Sequence, residues 1–231
     1  MTIWERLWWY VGNIADYTTQ MLPCMAAAMA VFLSIQPLRR KRLNGHGLVS
    51  GPWREAALLL FFMYCAGLAA LTLFPANFWS SFLRWVGSAG QIPFQASNFY
   101  PSWSEIWAET DYRNLFTPFQ EIRRGLQGGP WVFFMLLGNI GMFLPLGFFP
   151  ALLWRKIHLW KISLLGVLTS GTIECVQFFI GRSTDIDDII LNTVGTVLGY
   201  VILKGLSLWC QHFLSRFYCY ERKDSTHGSL D

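Results

Sequence analysis

Glu174 and Gln177 fall inside one long apolar run of this chain, Asn139 inside another and Asn192 inside a third, and Gly181-Arg182-Ser183-Thr184-Asp185-Ile186-Asp187-Asp188 leads into the last of them. Polar groups so placed mark a candidate site, and three kinds of chemistry suit them. The carboxylates can accept hydrogen bonds from cationic groups of a ligand. Paired, they can act as general acid and base, with Glu174, Asp185 and Asp188 as the candidate catalytic groups. Asp185, Asp187 and Asp188 also offer the oxygen ligands that a hard cation such as Mg²⁺ or Ca²⁺ takes. The candidate ligand-binding set is Asn139, Glu174, Gln177, Arg182, Asp185, Asp187, Asp188 and Asn192.

Membrane-spanning helices must position these groups. Hydrophobic residues make up 53% of the 231-residue chain and charged residues 14%, and mean hydropathy is +0.34, the composition of an integral membrane protein. Apolar segments over about 55–74, 131–153, 161–180 and 188–208 approach the roughly 20 residues needed to cross the hydrocarbon core. Another, about 17–36, starts its apolar run at Met21, is broken by Pro23 and ended by Pro37, and needs Thr18 to Gln20 to reach full length. The expected fold is all-α: a polytopic bundle of about five transmembrane helices in the cell membrane, with short interfacial helices. It divides into an interfacial segment and first helix over 1–36, a membrane domain over 55–208 and a tail over 209–231.

Tryptophans support these limits, because indole prefers the headgroup level. Trp131 and Trp154 bracket the third span, Trp53 and Trp79 flank the second, and Trp160 and Trp209 mark the start of the fourth and the end of the fifth. Short basic loops are retained in the cytoplasm. Arg39, Arg40, Lys41, Arg42 and Arg54 lie between the first two spans, and Arg155, Lys156 and Lys161 between the third and fourth; Lys204, Arg216, Arg222 and Lys223 follow in the last span and tail. The N-terminus is therefore expected outside and the C-terminus in the cytoplasm. The net charge of +4 reports this sidedness and gives no case for nucleic-acid binding. Ile3 to Tyr10 is tryptophan-rich, contains Glu5 and Arg6, and reads as an interfacial helix rather than a cleavable signal. The five cysteines are scattered without a C-x-x-C pair and read as small buried hydrophobes.

The one long connection, 75–130, reads as structured. Phe78, Trp79, Phe82, Trp85 and Val86 share one face opposite Ser80, Ser81 and Arg84, as in an amphipathic helix on the outer membrane surface. Ser102 and Glu105 offer a capping box for a second short helix carrying Trp103, Ile106 and Trp107. Both helices either cover the bundle's outer ends or form a lid.

At about 1.5 Å of rise per residue, Asn139 lies about 12 Å below the outer surface, Glu174 about 9 Å, Gln177 about 4 to 5 Å and Asn192 about 7 Å, so three helices deliver polar groups to one layer. Glu174 and Gln177 are i, i+3, and Asp188 and Asn192 are i, i+4, so each pair shares a face. Gly195 and Gly199 continue the Asn192 face at small-xxx-small spacing, which lets another helix approach closely. Gly138, Gly141 and Gly147 with Pro145 suggest a kinked, closely packed helix near Asn139. Arg182 is the nearest basic candidate to offset Glu174. Structural roles compete: Asp187 and Asp188 can favour a helix N-terminus, with Thr184 capping and Asp187 reaching back, and the asparagines can be interhelical glue.

The run Asn139-Ile-Gly-Met-Phe-Leu-Pro-Leu-Gly147, then Glu174-x-x-Gln177, then Gly181-Arg182-x-x-Asp185-x-Asp187-Asp188 with Asn192 and Gly195, resembles the VanZ-like family over about residues 56–203. Leu71-Thr-Leu-Phe-Pro75 and Asn114-Leu-Phe-Thr-Pro118-Phe119 fit its upstream pattern, with one residue more than usual before the Pro-Phe pair. The first helix and the long connection exceed the minimal family pattern. The resemblance implies a role in resistance to teicoplanin and related lipid-tailed glycopeptides. An outer acidic pocket is expected to bind such a drug or a lipid-linked cell-wall precursor, amid membrane lipids. An intramembrane, metal-dependent enzyme acting on a lipid headgroup and a lipid or solute transporter are the alternatives. The histidines His46, His158, His212 and His227 all fall on the expected cytoplasmic side, which argues against a histidine base.

Overall fold

The computed structural model describes residues 3–74, 78–93, 101–109, 117–127, 130–182 and 184–221. Expectations resting on Pro75, Asp111, Arg113, residues 114–116, Ser183, Arg222, Lys223 and His227 lie outside them.

Among the described residues five helices are long and apolar enough to cross a membrane. They are α1 (Ile3–Gly45), α2 (Pro52–Leu73), α6 (Pro130–Leu153), α7 (Leu159–Phe179) and α8 (Ile186–Trp209). Between α2 and α6 run α3 (Phe78–Gly87), α4 (Trp103–Glu109) and α5 (Gln120–Gln127). After α8 come α9 (Gln211–Leu214), a 3₁₀ turn and the strand β2 (Tyr220–Glu221), which pairs antiparallel with β1 (Leu48–Val49).

The first helix differs from expectation. Instead of an interfacial helix followed by a span that stops at Pro37, α1 is one helix of 43 residues containing both Pro23 and Pro37, and its apolar stretch runs Thr19–Gly45. Each proline forfeits one backbone hydrogen bond, whereas breaking the helix in an apolar medium would orphan several groups. The cations Arg39 to Arg42 therefore ride on the last turns of α1 rather than on a loop.

The closest packing joins α6 to α8. A Cβ on Gly147 would lie 1.7 Å from the Thr196 carbonyl oxygen, one on Gly199 1.9 Å from that of Leu144, and one on Gly195 2.2 Å from that of Ile140. Only glycine permits backbones so close, so the small-xxx-small expectation for Gly195 and Gly199 holds. Gly138 and Gly141 differ: an added Cβ would meet nothing within 4 Å, so on α6 only Gly147 of the three serves this contact. Gly166 brings α7 onto α8, where a Cβ would sit 3.0 Å from Thr196 Oγ1. Apolar clusters fill the rest, one with Leu68, Phe143, Leu146 and Ile173, the other with Ala57, Ala151, Leu152, Leu153, Leu203 and Leu214.

The bundle has a basic end and an acidic end. At the basic end Trp53, Trp154, Trp160 and Trp209 are exposed, and Trp53 meets Phe213 and Phe217 edge-on. Arg54, buried there, donates to the carbonyls of Leu153 (2.6 Å) and Phe217 (3.1 Å). Buried Glu55 takes Arg39 and the amide of Gln36, with Arg40 at 3.9 Å, which clamps α1 to α2.

Candidate ligand site at the acidic end

Asp185 is the N-cap of α8: its backbone is extended and its Oδ1 accepts the N–H of Asp187 at 2.9 Å. The cap was expected at Thr184, but α8 begins at Ile186, which puts Asp185 in the capping position; Thr184 Oγ1 instead reaches the carbonyls of Arg182 (3.4 Å) and Glu174 (3.5 Å). The N–H of Asp185 is donated to Glu174 Oε2 at 3.0 Å. α7 and α8 are thus tied by a carboxylate that is only 4% exposed.

Asn139 Nδ2 donates to Asp188 Oδ1 at 2.5 Å, bringing α6 to the same place. One turn deeper Asn192 Nδ2 donates to Ser170 Oγ at 2.9 Å, and Thr196 Oγ1 donates to the Asn192 carbonyl at 2.9 Å. Asn139, Glu174, Asp185, Asp188 and Asn192 accordingly meet along the seams between α6, α7 and α8 rather than facing lipid on separate surfaces. Ser170 and Thr196, both fully buried, complete the string. Sequence reasoning passed over them although each lies four residues from a chosen one, on the same helix face.

The remaining three residues turn elsewhere. Gln177 Nε2 donates to the Thr72 carbonyl at 2.9 Å. Arg182 Nη1 donates to the carbonyls of Thr72 (3.1 Å), Phe74 (3.2 Å) and Leu71 (3.4 Å), and Gln20 adds a bond to Phe74 at 3.1 Å. These are the orphan carbonyls at the C-terminal end of α2, where a cation also meets the negative end of the helix dipole. Arg182 was expected to offset Glu174; its hydrogen bonds go to these carbonyls instead, and it acts on Glu174 through its charge rather than through a direct contact. The pull of orphan carbonyls, which leave no mark in a sequence, is the reason.

Asp187 does not reach back to its own cap. It is fully buried and accepts the N–H groups of Phe119 (2.5 Å) and Ile122 (3.1 Å), so it caps α5 from another element. Gly125 lets α5 settle on Leu136. α4 covers the neighbouring turn: Trp103 and Trp107 pack edge-on against Phe179 and Phe178, and Pro101 and Ile106 crowd Gly181, whose φ of +71° favours glycine. Half of the expected capping box forms, with Ser102 N–H donating to Glu105 at 2.7 Å, which holds that carboxyl below its ordinary range. α3 carries the expected aromatic face, Phe78 stacking with Phe82 and Trp79 tilted onto Phe74. The described helices α4 and α5 of the long connection thus pack at the end of α7 and the start of α8.

The three aspartates are spent on different donors, and among the described residues no three of His, Cys, Asp and Glu group so as to hold a metal ion. His46, His158 and His212 lie at the basic end, following α1, capping α7 and within α9. The five cysteines are free thiols.

No curated protein and no solved structure matches the chain. A family model does: VanZ/LLP1 matches residues 61–209, a stretch that opens within α2, closes on the last residue of α8 and contains the whole polar string while leaving α1 outside. By that match the chain belongs to the VanZ/LLP1 family.

Proposed function

We propose that this VanZ/LLP1 membrane protein resides in the cell membrane with its acidic end outward and binds an amphiphile there. The amphiphile is a lipid-tailed glycopeptide or a lipid-linked cell-wall precursor, and its binding lowers sensitivity to teicoplanin-type drugs. The observation that supports it most is the meeting of Glu174, Asp188, Asn139 and Asn192 within an otherwise apolar bundle. Polar groups inside a membrane bundle are retained at a cost and default to a functional role. Apolar helix surfaces beside the string suit a lipid tail, and convergent polar groups fix a headgroup.

The test is the inhibitory concentration of teicoplanin against a sensitive Gram-positive host expressing wild type, Glu174→Gln or Asp188→Asn at matched membrane levels. Protection by the wild type that both variants lose is the expected result. Equal sensitivity of all three and the empty host would sink the resistance reading. Release of a product from labelled lipid would instead give Glu174, Asp185 and Asp188 an acid–base role, with Mg²⁺ or Ca²⁺ dependence deciding whether Asp185, Asp187 and Asp188 recruit a cation.

A further inference from the structure

We propose that the group seated at this site is a primary ammonium carried by an amphiphile, held between the Glu174 carboxylate and the side-chain oxygen of Asn192. This rests on the binding reading above and narrows its ligand. Glu174 accepts one backbone N–H, from Asp185, and the guanidinium that sequence proximity offers it is held by the carbonyls of α2. Four residues along α7, about 6 Å of rise and on the same face, Ser170 Oγ takes the N–H of Asn192. That contact leaves the other branch of the amide, Asn192 Oδ1, buried with no donor among the described residues, on a residue 5% exposed.

Among the described residues the seam between α7 and α8 thus presents a carboxyl group and an amide oxygen but no spare side-chain cation. A –NH₃⁺ group brings three N–H donors and a positive charge, so it answers both. A quaternary ammonium brings charge without N–H, an alcohol brings a donor without charge, and a phosphate is repelled by the carboxylate.

Those differences define the experiment. The full chain in phosphatidylcholine nanodiscs is titrated with n-dodecylammonium, n-dodecyltrimethylammonium and dodecanol, with empty nanodiscs subtracted. Expected is at least a tenfold preference for dodecylammonium, abolished by Glu174→Gln, weakened severalfold by Asn192→Ala and strengthened by Asn192→Asp, each variant first shown by its melting temperature to be folded. Equal affinity for the first two probes, or a preference indifferent to Glu174 and Asn192, overturns the inference. Competition by added phosphatidylethanolamine assigns the ammonium to a membrane lipid, and absence of competition assigns it to a soluble amphiphile; both agree with the proposal. If teicoplanin protection needs Glu174 while the probes show no ammonium preference, the ammonium inference falls alone. If neither teicoplanin nor any probe is affected by the site, the binding reading falls with it.

Discussion

Replacing Gly195 by alanine tests whether the close approach of α6 and α8 builds the polar string. The new Cβ would stand 2.2 Å from the Ile140 carbonyl oxygen, against the 3.4 Å at which ordinary contacts begin. The obstacle is backbone, which cannot swing aside, so the helices must part by about 1 Å, as close-packed interiors have no slack to absorb it. Ile140 is the neighbour of Asn139, and the same parting stretches its 2.5 Å bond to Asp188 toward the limit of a hydrogen bond, about 3.5 Å. Overpacking of this kind costs about 1–3 kcal/mol, partly offset by the roughly 0.5–1 kcal/mol that alanine gains over glycine in a helix. Gly147→Ala and Gly199→Ala, with initial contacts of 1.7 and 1.9 Å, should be at least as damaging, whereas Gly138→Ala and Gly141→Ala meet nothing within 4 Å and keep only the gain. Thermal unfolding of the five variants in nanodiscs, beside their teicoplanin protection, reads both effects. A Gly195→Ala protein that melts with the wild type, or a Gly141→Ala protein that melts as low as Gly195→Ala, would refute the reasoning.

Asp187→Ala removes the acceptor of the Phe119 and Ile122 N–H groups; charge-assisted bonds contribute about 1.5–3 kcal/mol, so hydrogen exchange over 119–127 should accelerate at least tenfold while α7 stays protected. Arg54→Met leaves the Leu153 and Phe217 carbonyls without their donor, and the segment after α8 should become sensitive to limited proteolysis, at a cost of about 1–3 kcal/mol. The Glu105 carboxyl is held below its ordinary range by the Ser102 N–H. Its support of α4 is therefore complete above the ordinary carboxylate range and fades as pH falls through its own lowered value. Glu105→Gln should remove that pH dependence from the exchange of residues 103–109.

Relative position along the helix axes was legible in the sequence, because rise per residue is fixed. It placed Asn139, Glu174, Gln177 and Asn192 in one layer, and periodicity gave the pairs Glu174–Gln177 and Asp188–Asn192 their shared faces. What neither conveys is which neighbour a face meets. Gln177 shares a side of α7 with Glu174, yet α2 ends beside it and its orphan carbonyls capture the amide, as they capture Arg182. Asp187 was legible as an acid at a helix start, but its donors come from Phe119 and Ile122, far away in sequence. Pro23 and Pro37 read as stops by the rules of soluble helices, which water enforces and lipid relaxes. Arg54 read as part of a basic loop because nothing local reveals that the end of α6 and the 3₁₀ turn after α8 close over it.

The Arg54 contacts also impose an order in time. Its two carbonyl acceptors lie 99 and 163 residues further along the chain. At about 5–20 residues per second of synthesis, the second is made roughly 8 to 33 s after Arg54 itself. Until then a guanidinium destined for burial must stay at the headgroup level, and the first two helices cannot adopt their final depth at that end. The β1–β2 ribbon, which pairs Leu48 with Glu221 and Val49 with Tyr220, forms only after the same delay. The contacts that close the basic end are therefore the last to be made, and a nascent chain arrested before residue 217 would hold Arg54 through the Leu153 carbonyl alone.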